Sequence, residues 1–287
     1  MTQDRPSTIG DLLDQTRRRL AAISASPGLD AQVLLAAVLG VERERILAHP
    51  ELRLEAEQVA ALTEHTDRLL AGEPLPYVLG WWEFYGRRYR VGPDVLIPRP
   101  ETELLVEQAL AFLHSRPGAT RGLDVGTGSG CIAVTLAAEC PALRMIATDL
   151  SLAALSVARA NAAEHGVANR VDLVACDLVS PLAARFDLVC ANLPYIPRTA
   201  LPGVGLARRE PLLALHGGEE GLDLILRLMA ALPRLLEPDG LALMEIEAGQ
   251  GEAVRAVARG LLQVAVEVRQ DLAGRDRLLT LRRERVW

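Results

Sequence analysis

No stretch of this 287-residue chain approaches the roughly 20 consecutive apolar residues that a membrane-spanning helix needs. Met1 to Ile9 holds no apolar signal core either. The expectation from these two absences is a cytoplasmic protein with no membrane partner. Net positive charge is missing too. The formal charge is −6 at pH 7, whereas non-specific nucleic-acid binding needs a basic surface, so no direct nucleic-acid binding is expected. The run Arg17-Arg18-Arg19 reads as a solvated helix face. Cysteine is sparse: Cys131, Cys140, Cys176 and Cys190 are scattered with no Cys-x-x-Cys pair, which argues for buried free thiols and against zinc or disulfides. Internal repeats and low-complexity tracts are lacking. Half the residues are apolar, with charged residues interspersed, so the chain is globular and not disordered.

What is present falls into three segments. Residues 1–75 read as a small all-α domain. Thr8 with Asp11 resembles a capping box opening a helix to about Ile23; apolar periodicity returns over Leu29–Leu39 and Val59–Leu70, and Gly72 closes the last helix. This segment has no glycine-rich loop and no cluster of catalytic residue types, so docking a partner or covering a site is its expected task. Residues 76–98 carry most of the few aromatics (Tyr77, Trp81, Trp82, Phe84, Tyr85, Tyr89) around Gly86 and Gly92-Pro93, which predicts a β-hairpin linker with Trp81 and Trp82 in packing roles. Residues 99–287 alternate. Strands are expected at Gly122–Val125, Arg144–Thr148, Val171–Ala175, Phe186–Ala191 and Leu241–Ile246. Helices are expected at Glu101–His114, Cys131–Ala138, Leu152–Glu164, Leu222–Leu236 and Glu252–Leu261. Two further strands near Val264–Val268 and Leu278–Leu281 close the chain without a helix between them. The fold class is therefore α/β: a doubly wound, mostly parallel sheet with an antiparallel edge, preceded by the helical domain and the hairpin. In such sheets ligands sit at the carboxyl ends of the strands.

Four strand ends carry chemistry. The first strand runs into Gly126-Thr127-Gly128-Ser129-Gly130, where glycines permit a tight turn and close approach of a ligand to the backbone, and the following helix N-terminus favours negative groups. The spacing is Gly-x-Gly-x-Gly; it is neither the dinucleotide fingerprint nor a P-loop. Asp149 ends the next strand, placed to accept both hydroxyls of a ribose; alone it would pass for a helix cap, but Ser151 is available for that. Asp177 ends the third, placed to accept from an adenine amino group. Each has an ordinary turn or cap explanation singly, but together on one sheet edge they describe a nucleoside site. The fourth strand ends in Asn192-Leu193-Pro194-Tyr195.

These motifs resemble a class I S-adenosylmethionine-dependent methyltransferase with an Asn-Pro-Pro-Tyr-type motif. The stretches Gly72–Gly86, Val95–Leu110 (VLIPRPETELLVEQAL), Arg209–Leu224 (REPLLALHGGEEGLDL) and Glu247–Val254 (EAGQGEAV) extend the likeness over essentially the whole chain, to the HemK-type release-factor glutamine methyltransferases. The resemblance implies a Rossmann-like domain binding S-adenosyl-L-methionine (product S-adenosyl-L-homocysteine) through Gly126–Gly130, Asp149, Asp177 and Leu178, with Asn192 touching its methionine part. It implies methylation of the side-chain N5 of the glutamine in the Gly-Gly-Gln loop of peptide-chain release factors, by a monomer. For that chemistry the Asn192 side-chain oxygen and the Leu193 backbone carbonyl are assigned to accept the two amide N–H groups. Pro194 fixes the turn and Tyr195 packs on the planar amide. Alternatives are a ribosomal-protein glutamine, an adenine-N6 position in nucleic acid, or a cofactor-binding scaffold without turnover. Three positions depart from the family pattern: Leu193 stands where a proline is usual, at an expected loss of backbone stiffness only, Leu178 where an aromatic can stand, and Glu247 where glycine is common. The long loop Arg198–Glu220 is a candidate lid, and Arg99, Glu101 and Glu103 are candidates for the entrance.

Overall fold

Thr8 begins the first helix by a reciprocal cap: its Oγ1 accepts the Asp11 N–H, and the Asp11 carboxylate accepts the Thr8 N–H. The structure, a computed structural model, describes residues 8–203, 209–261 and 264–283. By its contacts the chain divides into two compact units, Met1–Trp81 and Trp82–Trp287.

The first unit contains α1 (Ile9–Leu20), α2 (Pro27–Leu39), α3 (Arg43–Ala48), α4 (Ala56–Leu70) and α5 (Leu75–Leu79). Leu12, Leu20, Leu34, Leu35, Ile46, Leu62, Leu69 and Val78 form its core. Helices α3 and α5 were not expected, because neither reaches two full turns and so neither shows a helical period. Val78 of α5 is buried in the helical core, so Leu75–Leu79 belongs with the helices and the division falls at 81/82, later than 75/76.

The hairpin consists of β1 (Trp81–Phe84) and β2 (Arg87–Arg90), joined through Tyr85 and Gly86, both with positive φ (51° and 66°) as a two-residue turn requires. It does more than link: Phe84 and Tyr89 are buried in the core of the second unit, and the Tyr89 hydroxyl lies 2.6 Å from that of Thr135.

The rest of the second unit is built from α6 (Thr102–Ser115), β3 (Arg121–Val125), α7 (Cys131–Glu139), β4 (Arg144–Asp149), α8 (Leu152–Glu164), β5 (Val171–Ala175), β6 (Phe186–Ala191), α9 (Asp223–Leu235), β7 (Leu236–Glu245), α10 (Gly251–Leu261), β8 (Val264–Gln270) and β9 (Asp276–Arg283). The sheet order is β5-β4-β3-β6-β7-β9-β8. β3 to β7 pair in parallel, and β9 is antiparallel to both β7 and β8. One face packs on α6 and α7 through Leu105, Val106, Ile132 and Leu136; the other packs on α9 and α10 through Ile225, Leu228, Leu232, Val254 and Ala258. Buried on both sides, the central strands β3 and β6 are mostly apolar, interrupted inside by Asp124 and Asp187 respectively. The chain winds outward from β3 to β5 and then returns to start β6 on the other side of β3. That reversal is the switch point beside which a ligand crevice forms. Among the described residues no helix is long and apolar enough to cross a membrane, and no group of His, Cys, Asp or Glu could hold a metal ion.

Candidate active site

At the carboxyl ends of β3, β4, β5 and β6 lies a cavity of about 330 Å³. Gly126, Thr127, Gly128, Ser129, Asp149, Asp177, Leu178, Asn192, Leu193 and Pro194 all line it. Gly130 does not; it caps α7 with φ 81°, and a Cβ there would press on Ala158 at 3.1 Å. Gly128 has φ 55° and open space where a side chain would project, so its backbone is bare to a ligand. The loop is held from both sides. Its Gly126 and Thr127 N–H groups donate to the Thr148 carbonyl, while the buried Asn161 amide donates to the Ser129 carbonyl and pairs with Arg90 of β2.

The acids behave differently from one another. Asp149 accepts the Gly128 N–H on one oxygen and the Ser151 N–H on the other, at 2.9 and 2.8 Å, so each oxygen keeps a lone pair free and the carboxylate plane is fixed. Ser151, not Asp149, caps α8. Asp177 is half exposed and one of its oxygens is taken by Arg227 at 2.7 Å. Leu178 follows in the left-handed region (φ 51°), a strained conformation for a bulky residue and one that recurs at functional sites. Asp124, inside β3, escaped the sequence reading. It is fully buried and accepts from the Thr127 hydroxyl (2.6 Å) and the Ala133 N–H, while its Oδ1 has no partner. Burial pushes its carboxyl up to about 7, against the two hydrogen bonds.

A second cavity of about 150 Å³ adjoins the Asn192–Tyr195 turn and includes Leu96, Arg99 and Leu215. Asn192, Leu193, Pro194 and Arg99 line both cavities; Tyr195 lines only the second. The turn is braced by backbone contacts. Ile196 N–H donates to Leu215, Gly217 N–H donates to Ile196, and the Gln250 amide donates to the carbonyls of Tyr195 and Gly221, both at 3.2 Å. Gln250 explains the stretch after β7. Its Oε1 accepts the Glu247 N–H while the Glu247 side chain is exposed, so that departure from glycine costs no packing.

Leu193 corrects one expectation. Its side chain is not a neutral carrier of a carbonyl: it is 3% exposed, packs in the core, and its Cδ2 lies 2.9 Å from where a Cβ on Gly126 would stand. It therefore supports the glycine loop as well as the turn. Leu193→Ala is expected to destabilise the fold by about 2–3 kcal/mol in denaturant melts, the lower part of the range for an emptied buried Leu site. An unchanged midpoint would show that the side chain carries no packing.

Behind Asn192 stands a polar chain. Its Nδ2 donates to Thr102 Oγ1 at 2.9 Å, and Thr102 Oγ1 donates to Glu245 Oε2 at 2.6 Å. The Tyr195 hydroxyl donates to Glu245 Oε1 at 3.4 Å. Thr102 and Glu245 are buried (2% and 1% exposed), one at the start of α6 and the other at the end of β7. Burial pushes the Glu245 carboxyl up to about 7, opposed by the Thr102 hydroxyl, Arg277 and Tyr195 and reinforced by Glu101; burial likewise raises the Tyr195 phenol. The folded state thus binds this proton more tightly than the unfolded chain, whose value is the ordinary 4.5. Stability from this group is complete below about 4.5 and is lost as pH rises towards 7, by roughly 3 kcal/mol for a shift of this size. Glu245→Gln removes the titration. Measured by denaturant melts, its stability relative to the parent is expected to improve by that amount between pH 4.5 and pH 8; a pH-independent difference would contradict the assignment.

Of the entrance candidates, Arg99 lines the cavities and is paired with the fully buried Glu210 carboxylate at 2.6 Å. Glu103 instead accepts the Tyr85 N–H and holds the hairpin, and Glu101 is exposed. Pro211, Leu213 and Ala214 of the long loop line the main cavity; its residues 204–208 lie outside the described residues. All four cysteines are free, and burial raises the thiols of Cys131 (to about 12) and Cys190. Thr102, Glu245, Gln250 and Glu210 were missed as functional positions. Thr102, Glu210 and Gln250 do fall in the stretches PRPETE, REPLL and EAGQG.

Known proteins share this organisation. A PrmC N-terminal domain model matches residues 11–80, and a methyltransferase small domain model matches residues 101–201. The chain is 43% identical over 282 residues to the release factor glutamine methyltransferase of Moorella thermoacetica, covering 96% of this chain and 99% of that one. It is 45% identical over 262 residues to that of Bordetella pertussis, covering 90% and 96%. A solved methyltransferase from Pyrococcus furiosus has the same fold, with TM-score 0.52 at 15% identity over 80% of this chain and 100% of that one. Near-full-length identity of this order, with a family model matching each half, leaves one assignment: the chain belongs to the release factor glutamine methyltransferase family.

Proposed function

We infer that this chain is a protein-glutamine N5-methyltransferase that takes its methyl group from S-adenosyl-L-methionine and acts on the Gly-Gly-Gln glutamine of peptide-chain release factors. One observation carries the chemistry. Where the two cavities meet, the Asn192 Oδ1 and the Leu193 carbonyl accept no hydrogen bond from any described residue, while the Asn192 Nδ2 is already committed to Thr102. Two free acceptors on adjacent residues lining both cavities match the two N–H groups of a primary amide.

The cofactor fits the residues present. The bare Gly128 backbone, the oriented Asp149 carboxylate and the strained Leu178 beside Asp177 would hold a nucleoside, and the partnerless buried Oδ1 of Asp124 lies beneath the same loop. When bound, S-adenosyl-L-methionine supplies an electrophilic methyl group on a sulfonium sulfur. A glutamine amide is a poor nucleophile because its nitrogen lone pair is delocalised, and its N–H is too weakly acidic for a general base to help. The task of the chain is therefore orientation and charge. Asn192 and Leu193 aim the nitrogen and stabilise positive charge developing on it, in a preorganised site. Pro194 restricts the turn that presents both acceptors. The Tyr195 ring borders the smaller cavity and would pack on the amide plane, its hydroxyl held by Glu245. Both cavities are lined by residues of the second unit, which leaves the helical unit to dock the protein substrate. A cytoplasmic location accords with that substrate.

The test is transfer of labelled methyl to a purified release factor, with ribosomal proteins and DNA offered separately and the label located by mass spectrometry. Label on the side-chain amide of the Gly-Gly-Gln glutamine is expected. Label on nucleic acid or ribosomal protein alone, or none anywhere, overturns the reading.

A further inference from the structure

We propose that Glu245 is a positioning residue for methyl transfer: acting through the Thr102 hydroxyl, it holds the Asn192 amide with its nitrogen turned inward and its oxygen left for the substrate. This rests on the reading of Asn192 as the acceptor for the substrate amide. The number of protons available fixes the direction of the hydrogen bonds. An ionised carboxylate only accepts hydrogen bonds, and a threonine hydroxyl has one proton. With Glu245 Oε2 2.6 Å from Thr102 Oγ1, that proton goes to Glu245. Thr102 can then only accept from Asn192, 2.9 Å away, so Asn192 must offer its N–H. The other end of the amide, Oδ1, is the acceptor the substrate needs. Without Glu245 in its ionised form the chain can run the other way. A protonated Glu245 can donate to Thr102, whose own proton is then free to bond Asn192 Oδ1. The flipped amide would present an NH₂ group to a substrate NH₂ group, donor against donor.

The surroundings suit a group that changes state without leaving its place. Thr102 and Glu101 face Glu245 from the start of α6, Arg277 from β9, and Tyr195 from the turn after β6. Burial holds its proton loss to about pH 7, where Glu101 opposes ionisation and Arg277 favours it. Catalysis should therefore fall as pH drops below about 7, even though the fold gains stability there.

The experiment compares Thr102→Val, Thr102→Ser, Glu245→Gln and Asn192→Ala in the full-length protein, reading kcat, KM for release factor, cofactor affinity by calorimetry without the protein substrate, and the pH profile. Thr102→Val is expected to lower kcat about tenfold or more, the scale of one lost oriented hydrogen bond, with cofactor affinity little changed and the acid limb near pH 7 gone. Thr102→Ser, which keeps the hydroxyl, should restore both rate and limb. Glu245→Gln should be slower than the parent at pH 8 even though its stability relative to the parent is higher there than at pH 4.5, which separates positioning from folding. Equal rates for Thr102→Ser and Thr102→Val, or a parental pH profile in Glu245→Gln, overturn the proposal while leaving Asn192 in its role. Unchanged turnover in Asn192→Ala overturns the underlying reading, and the proposal with it.

Discussion

Asn192→Ala is expected to reduce turnover by roughly 10²–10³-fold, corresponding to ~2.7–4 kcal/mol of transition-state stabilisation, the scale seen when one preorganised polar group is removed from a reacting centre. Among the described residues that line both cavities, the change deletes the only side-chain acceptor and leaves the Leu193 carbonyl to orient the substrate amide alone. An amide held at one N–H can rotate, so the nitrogen spends little time in line with the methyl group, and misplacement of about 1 Å is enough for a loss of this order. The fold should tolerate the change, because Asn192 is half-buried and Thr102 keeps its bond to Glu245. Single-turnover transfer of labelled methyl, read beside cofactor affinity, checks it. A variant that binds cofactor and transfers at the parental rate removes Asn192 from the mechanism.

Gly221→Ala should be nearly as damaging, from a position that touches neither reactant. Gly221 has φ 78°, a region that costs an L-residue ~1–2 kcal/mol. An added Cβ would stand 2.2 Å from the Tyr195 carbonyl oxygen and 3.0 Å from Gln250 Nε2. No rotamer relieves a collision with backbone, so overpacking adds about 1–3 kcal/mol, for a total on the order of 4. The strain falls on the turn that carries both acceptors, so turnover should fall on the order of 10²-fold in whatever fraction folds. Gly249→Ala is the control: it adjoins Gln250, which donates to the Gly221 carbonyl, it has no positive φ, and a Cβ there meets nothing within 4 Å. Denaturant midpoints and turnover for the pair decide the matter; if the two variants match, the close approach at Gly221 is of no consequence.

The departure from the family pattern at Leu193 is best understood with these two sites. Proline there would stiffen the turn through its own ring. Leucine does it from below, by filling the space under Gly126 and joining the apolar core on the α9 and α10 face. The backbone carbonyl, the atom proposed to meet the substrate amide, is held in either case, by different physics.

How much could be read beforehand depended on the range of the interactions. Asn192, Asp149, Asp177 and the glycine loop were legible because each ends an apolar strand, and strand ends on one edge of a parallel sheet necessarily converge. The helices α3 and α5 were not, being too short for a period to form. Glu103 looked like an entrance residue and proved to hold the Tyr85 N–H, 18 positions away. Glu245 ends a strand as well, but nothing near it in sequence shows that it is buried.

Local periodicity and strand-end residue types were thus sufficient for the α/β architecture and for bringing the glycine loop, Asp149, Asp177 and Asn192 to one cavity, because alternation and apolar runs are properties of neighbouring residues. The direction in which the Asn192 amide faces is of another kind. It is set by Thr102, 90 positions earlier, and by Glu245, 143 positions beyond Thr102. A buried hydroxyl and a buried carboxylate acquire their protons and partners only when α6, β6 and β7 come together and exclude water. Until then each of these groups bonds to solvent, and no orientation of the amide is favoured over its opposite.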